Sequence, residues 1–127
     1  MTKTITGVLL DTKRAHVERA TIPANLDGYY KHLNCTTIDI VSRTIGGKRF
    51  DIICDDEGLF KEDPRISALD RDYQPMFVGN LFICKHDGDG REISLTDKEI
   101  DHILRYAGKL STRQHPEGLA MLTNVGY

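Results

Sequence analysis

Residues Phe50 to Leu69 read FDIICDDEGLFKEDPRISAL: an apolar strand, an acidic turn, Gly58, then a proline-set polar segment. Met76 to His86, MFVGNLFICKH, follows soon after and reads as a second apolar strand. In the first, Phe50, Ile52 and Cys54 alternate against Ile53. In the second, Phe77, Gly79, Leu81 and Ile83 alternate against Val78, Phe82 and Cys84. Apolar groups on both faces mark a strand covered on both sides, hence a central one. Pro64, with Asp63 before it as a cap, is expected to start a short helical turn running to Leu69.

The flanking segments fit round this pair. Thr4 to Leu10 sets Ile5, Gly7 and Leu9 against Thr6, Val8 and Leu10, again a central strand. A turn at Asp11–Thr12–Lys13–Arg14 leads to an edge-type strand from His16 to Ile22, completing a hairpin. Asn25 is a fitting N-cap for a helix whose stripe is Leu26, Tyr29, Tyr30 and Leu33, and which ends near Asn34. Ile38, Ile40 and Val41 mark a further strand. Gly46–Gly47 supplies the positive φ angles of a tight hairpin into Phe50. Thr96 and Glu99 make a capping box, with Leu95 and Ile100 as its hydrophobic staple. Ile100, Ile103, Leu104 and Ala107 carry the buried stripe, and Gly108 is the expected C-cap. The order ββαββ-β-α predicts an α+β domain over residues 1–110: a mostly antiparallel sheet of about five strands with two helices packed on it. The tail, 111–127, contains Leu119 to Leu122 as material for an added strand.

Composition narrows the function classes. A chain of 127 residues forms one domain with a modest core. No apolar run approaches the ~20 residues of a membrane span, so a cytoplasmic protein with no membrane partner is expected. Three widely spaced cysteines argue against a disulfide framework, and Cys54 and Cys84 sit in apolar strand patterns that suit buried thiols. Residues 1–50 carry eight Lys/Arg against four Asp/Glu, residues 51–72 three against eight, and residues 73–127 six against seven. The middle segment is therefore an acidic belt, suited either to solvent or to a basic partner. The basic excess before it is too diffuse for direct nucleic-acid binding.

The strand–acidic turn–glycine unit (Ile52, Ile53, Cys54, Asp55, Asp56, Glu57, Gly58), the following Pro64 to Leu69, and the helix opened by Ser94–Leu95–Thr96 resemble an uncharacterised family, domain of unknown function 3846. The resemblance covers about two-thirds of the chain; the first fifty residues match only in layout. It implies an accessory protein of a bacteriophage or mobile element acting in a bacterial cytoplasm. Such accessory genes often encode inhibitors of host defence or small regulators. The family supplies no catalytic residues to carry over.

His32, Cys35, Cys84 and His86 could supply four zinc ligands, but CxxC spacing is missing and His32-x-x-Cys35 straddles a helix end, so no metal is assigned. Asp87, Asp89 and Glu92 fail the calcium-loop pattern, and a hairpin turn accounts for them. Gly46–Gly47–Lys48 lacks the phosphate-loop frame. Carboxylates beside Cys54 would raise its pKa and blunt it as a nucleophile. Tyr29 and Tyr30 with Lys31 could stack a base, though their spacing fits core packing.

These readings favour a non-enzymatic binding protein with no cofactor. It would occlude a bacterial protein, such as a CRISPR effector nuclease, through Asp55, Asp56, Glu57, Lys61, Glu62, Asp63 and Arg65. The alternative is a sponge for a nucleotide signal, using Arg14, Arg19, Tyr29, Lys48 and Arg49 around a cavity within one chain or between the protomers of a homodimer. A zinc-bound regulator of nucleic-acid metabolism is the weaker third reading.

Overall fold

A computed structural model describes residues 3–57 and 64–127. Its first hairpin pairs β1 (Thr4–Asp11) with β2 (His16–Pro23), and α1 (Leu26–Leu33) follows. A second hairpin, β3 (Ile38–Ile45) and β4 (Lys48–Asp55), turns at Gly46–Gly47 with φ of 57° and 83°. Then come β5 (Ile66–Leu69), β6 (Pro75–Val78), β7 (Leu81–His86) and β8 (Glu92–Ile93). The helix α2 (Asp97–Leu104) precedes β9 (Ala107–Leu110), β10 (Leu119–Leu122) and β11 (Val125–Gly126).

The main sheet has seven strands rather than about five, in the order β11-β3-β4-β7-β1-β2 with β8 on β7, and every pairing in it is antiparallel. A second sheet, β6-β5-β10-β9, was not expected; its β5–β10 pair is parallel. The main sheet is covered on both faces, as its two-sided apolar strands require. Ile5, Leu9, Ile22, Ile53, Phe82 and Cys84 pack under Tyr29 and Leu33 of α1. Val8, Leu10, Phe50, Ile52, Leu81 and Ile83 pack against Ile100 and Ile103 of α2 and against Ala68 and Leu122 of the second sheet. Each Val, Leu, Ile or Phe side chain among these, fully buried, contributes ~1.5–3 kcal/mol relative to an exposed position. Among the described residues no helix is long and apolar enough to cross a membrane.

Several local expectations are corrected. Ile66–Leu69 is a strand, not a helical turn: Ser67, Ala68 and Leu69 are buried, and Ala68 pairs with Phe77 of β6 on one side and Leu122 of β10 on the other, as buried backbone requires. Met76–His86 is two strands in two sheets. Gly79, at φ 90°, breaks the run, and its N–H donates to the Arg65 carbonyl at 2.9 Å. Gly108 lies within β9; α2 closes instead on Arg105 in right-handed geometry, and the chain turns straight into the strand. Leu26 is 56% exposed, leaving Tyr29 and Leu33 as the buried positions of the α1 stripe.

The helix starts match expectation. Asn25 caps α1, its side chain accepting from the Gly28 N–H. The Thr96–Glu99 capping box is present, with Leu95 and Ile100 both buried beneath it.

Candidate functional site

Residues of α1 bear on both parts of the site, so its orientation matters most. Asn34, in the left-handed region at φ 53°, ends the helix, and its N–H and that of Cys35 both return to the Tyr30 carbonyl. That termination brings the last turn of α1 beside the end of β4. Tyr30, Lys31, Asn34, Cys35, Asp55 and Glu57, with Thr36, line a groove of about 310 Å³ there. Asp55 is buried, and its carboxylate accepts the Glu57 N–H at 2.9 Å. Asp56 and Glu57 are exposed. Asp39 stands opposite Cys54 in the β3–β4 ladder. The Cys54 thiol is pushed up to about 11, first by burial, then by Asp39, with Asp56 and Asp55 adding to it. Four carboxylates therefore lie near one end of the β3–β4 pair, Asp39 on the Cys54 face and Asp55 on the opposite face, where Asp55 and Glu57 line the groove. A helix C-terminus carries partial negative charge as well, so the field there favours a cation.

A second polar group lies on the same face of the main sheet. Cross-strand register places Asp51 opposite Cys84 and Glu92 opposite His86. Asp51 is 4% exposed, and its Oδ2 accepts from Nδ1 of the half-exposed His86 at 2.7 Å. The Cys84 thiol donates to Oε2 of Glu92 at 3.1 Å. The hydrogen bond and charge of Asp51 raise the His86 imidazole above its ordinary value. Burial raises Glu92, and Asp51 raises it further. Burial also raises the Cys84 thiol, followed by its bond to Glu92, so it is no thiolate at neutral pH. Tyr29 closes the group from α1, its phenol pushed up to about 12 by burial and then by Cys84 and Glu92. An imidazole oriented by a buried carboxylate can move a proton. The thiol beside it is held protonated and serves as a hydrogen-bond donor.

The remaining expected residues are placed as follows. Arg65 donates to the Thr12 carbonyl at 3.3 Å. Lys61, Glu62 and Asp63 lie outside the described residues. Tyr29 is buried in the core and presents no face to a ligand. Arg14 sits beside the first turn near Asp11, and Arg19 pairs with Asp97 at 2.6 Å. Lys48 and Arg49 open β4, two strands removed from the β1–β2 hairpin's nearer strand in the sheet order. None of these five residues lines the groove at the end of α1. The four zinc candidates do not converge: among the described residues no group of three or more His, Cys, Asp or Glu is arranged to hold a metal. Asp87 accepts the N–H groups of Asp89 and Arg91, as a hairpin turn requires. Sequence reasoning missed Asp51 and Asp39, whose partners are supplied only by strand register.

No curated protein and no solved structure is significantly similar to the chain. One family model matches, covering residues 5–109 and so ending before β10 and β11. On that match the chain belongs to the family of domain of unknown function DUF3846.

Proposed function

We propose that the protein is a non-enzymatic binding module that recognises a basic segment of a protein partner, seating a Lys or Arg side chain at the end of α1. The observation that carries this reading is the convergence of Asp55 and Glu57 on the groove beside the Tyr30 ring. A cation over an aromatic face gains ~0.5–2 kcal/mol, and the surrounding carboxylates steer its approach. Lys31 at the same groove would be displaced toward solvent by the incoming charge. In the setting of a bacteriophage or mobile element, the partner is a bacterial nucleic-acid-handling or defence protein, such as a CRISPR effector nuclease. Such proteins carry Arg/Lys surfaces for nucleic acid, and occluding one inhibits the host protein.

The test compares wild type with the double variant Asp56→Asn/Glu57→Gln, both sites being exposed. Each protein is used to capture partners from a bacterial lysate, and association rates are then measured with the identified partner. The reading expects a partner with a basic surface, an on-rate reduced about tenfold in the variant, and a steep fall with salt. A partner bound at the same rate by both proteins, or retention of a small molecule alone, would reject it.

A further inference from the structure

We infer that Asp51, Cys84, His86 and Glu92 form a proton-operated clamp that fastens β8 and the middle of α1 onto β4 and β7, closed in mildly acidic solution and loosened as pH rises. This goes beyond the binding reading and does not depend on it.

The geometry comes first. All four side chains project from one face, because Asp51 is paired with Cys84 and Glu92 with His86. Tyr29 of α1 packs on Cys84 in the same cluster. β8 is only two residues long and joins β7 by the pairs Lys85–Ile93 and His86–Glu92, so little else anchors it to that strand. Two carboxylates, Asp51 and Glu92, share this partly covered space. Both can be ionised together only at an electrostatic cost. His86 offsets that cost as a cation, and the Cys84 thiol donates a further hydrogen bond.

Among the described residues, no other charge offsets this cost. Asp87, beside His86, has its carboxylate lowered by the backbone N–H of Arg91 and then of Asp89. Lys3 and Arg91 act on Asp87. Arg49, on the same face of β4, bonds to Ser42 and to the Tyr127 carbonyl. Tyr29 remains a neutral phenol across the range concerned. Among the described residues, His86 is the cation in contact with Asp51.

The sign follows from linkage. Folding raises proton affinity at both His86 and Glu92. Each therefore stabilises the fold below its ordinary value, and the contribution fades as pH rises through its folded value. The window opens above 4.5, the ordinary value of Glu92, and extends past 6.5, that of histidine. Above it, two carboxylates face a neutral imidazole, and Glu92 is driven outward with β8.

The test is an NMR titration of the His86 ring in the wild-type protein, with thermal midpoints for wild type, His86→Gln and Glu92→Gln from pH 5 to pH 8.5. The clamp requires His86 to titrate above 6.5 and the wild-type midpoint to fall across that range. It requires a smaller fall in both variants. His86 is half exposed, so its glutamine variant is expected to fold, and the wild-type titration needs no variant at all. Titration of His86 at or below 6.5, a flat wild-type profile, or a fall in either variant as large as the wild type's would overturn the proposal.

Discussion

The Asn80 side chain holds Thr12 twice: its Oδ1 accepts from the Thr12 N–H at 2.9 Å and from the Thr12 hydroxyl at 2.8 Å. Both residues are buried, and they join the start of β7 to the end of the first strand across 68 positions of sequence. Arg65 donates to the Thr12 carbonyl, so the entry to the second sheet is tied to the same turn.

Asn80→Ala therefore leaves two donors of Thr12 without this acceptor in a place water reaches poorly. A buried unsatisfied donor costs ~1–3 kcal/mol. Urea denaturation should show the variant destabilised by at least ~2 kcal/mol, with an unchanged denaturant slope. A loss under ~0.5 kcal/mol would mean that Thr12 finds other partners.

The hairpin between β3 and β4 makes a sharper comparison. A Cβ on Gly46 would collide with the Tyr106 ring, whereas one on Gly47 meets nothing within 4 Å. Both have positive φ. Gly47→Ala should carry the conformational cost alone, about 1 kcal/mol. Gly46→Ala adds displacement of Tyr106, which also makes an edge-on ring contact with His102, and should cost clearly more. Paired thermal melts decide this; equal losses would show that the ring gives way freely.

That hairpin was legible because two adjacent glycines between strand patterns have few other uses. The start of α2 was legible for a similar reason: Thr96, Glu99, Leu95 and Ile100 are all local, and each supports the same reading. The break at Gly79 was not. Met76–His86 alternates well enough to pass for one strand, and only the non-local bonds from Gly79 to Arg65 and from Thr12 to Asn80 divide it. β5 was misread because Pro64 suggested a helix start, while its burial is decided by a strand fifty residues away. At the candidate site, the acidic character of 55–57 was visible in the chain. That Asp55 turns inward while Asp39 comes to face Cys54 depends on the β3–β4 register. The grouping of Asp51 with His86 and Glu92 depends likewise on three strands meeting.

The thiols should differ in reactivity. Cys54, raised to about 11, is ionised to about one part in a thousand at pH 8, and Cys84 less. Cys35 is half-buried at the groove. Brief alkylation of the native protein at pH 8 should modify Cys35 first, and all three cysteines only after unfolding. Intact mass and peptide mapping report this directly. A partner seated in the groove should protect Cys35; unchanged labelling in the complex would place the partner elsewhere. Rapid native labelling of Cys84 would contradict its hydrogen bond to Glu92.

Ser67 gives a prediction of opposite sign. Its residue is fully buried in β5, and its hydroxyl has no hydrogen-bond partner among the described residues. Ala68 beside it pairs with both β6 and β10, while Ser67 itself falls at an irregularity of the β5–β6 ladder, and its hydroxyl adds a desolvated dipole there. Alanine, with a methyl group in place of the hydroxymethyl, removes that dipole and one small atom, leaving little new space. Ser67→Ala should therefore raise stability by ~0.5–2 kcal/mol, where most buried substitutions lower it. Ser67→Val would separate the polar effect from packing: extra methyl groups at this fully buried position should cost ~1–3 kcal/mol through overpacking. If Ser67→Ala instead destabilises the protein by more than ~1 kcal/mol, the hydroxyl is bonded in solution, and the interior around β5 admits water.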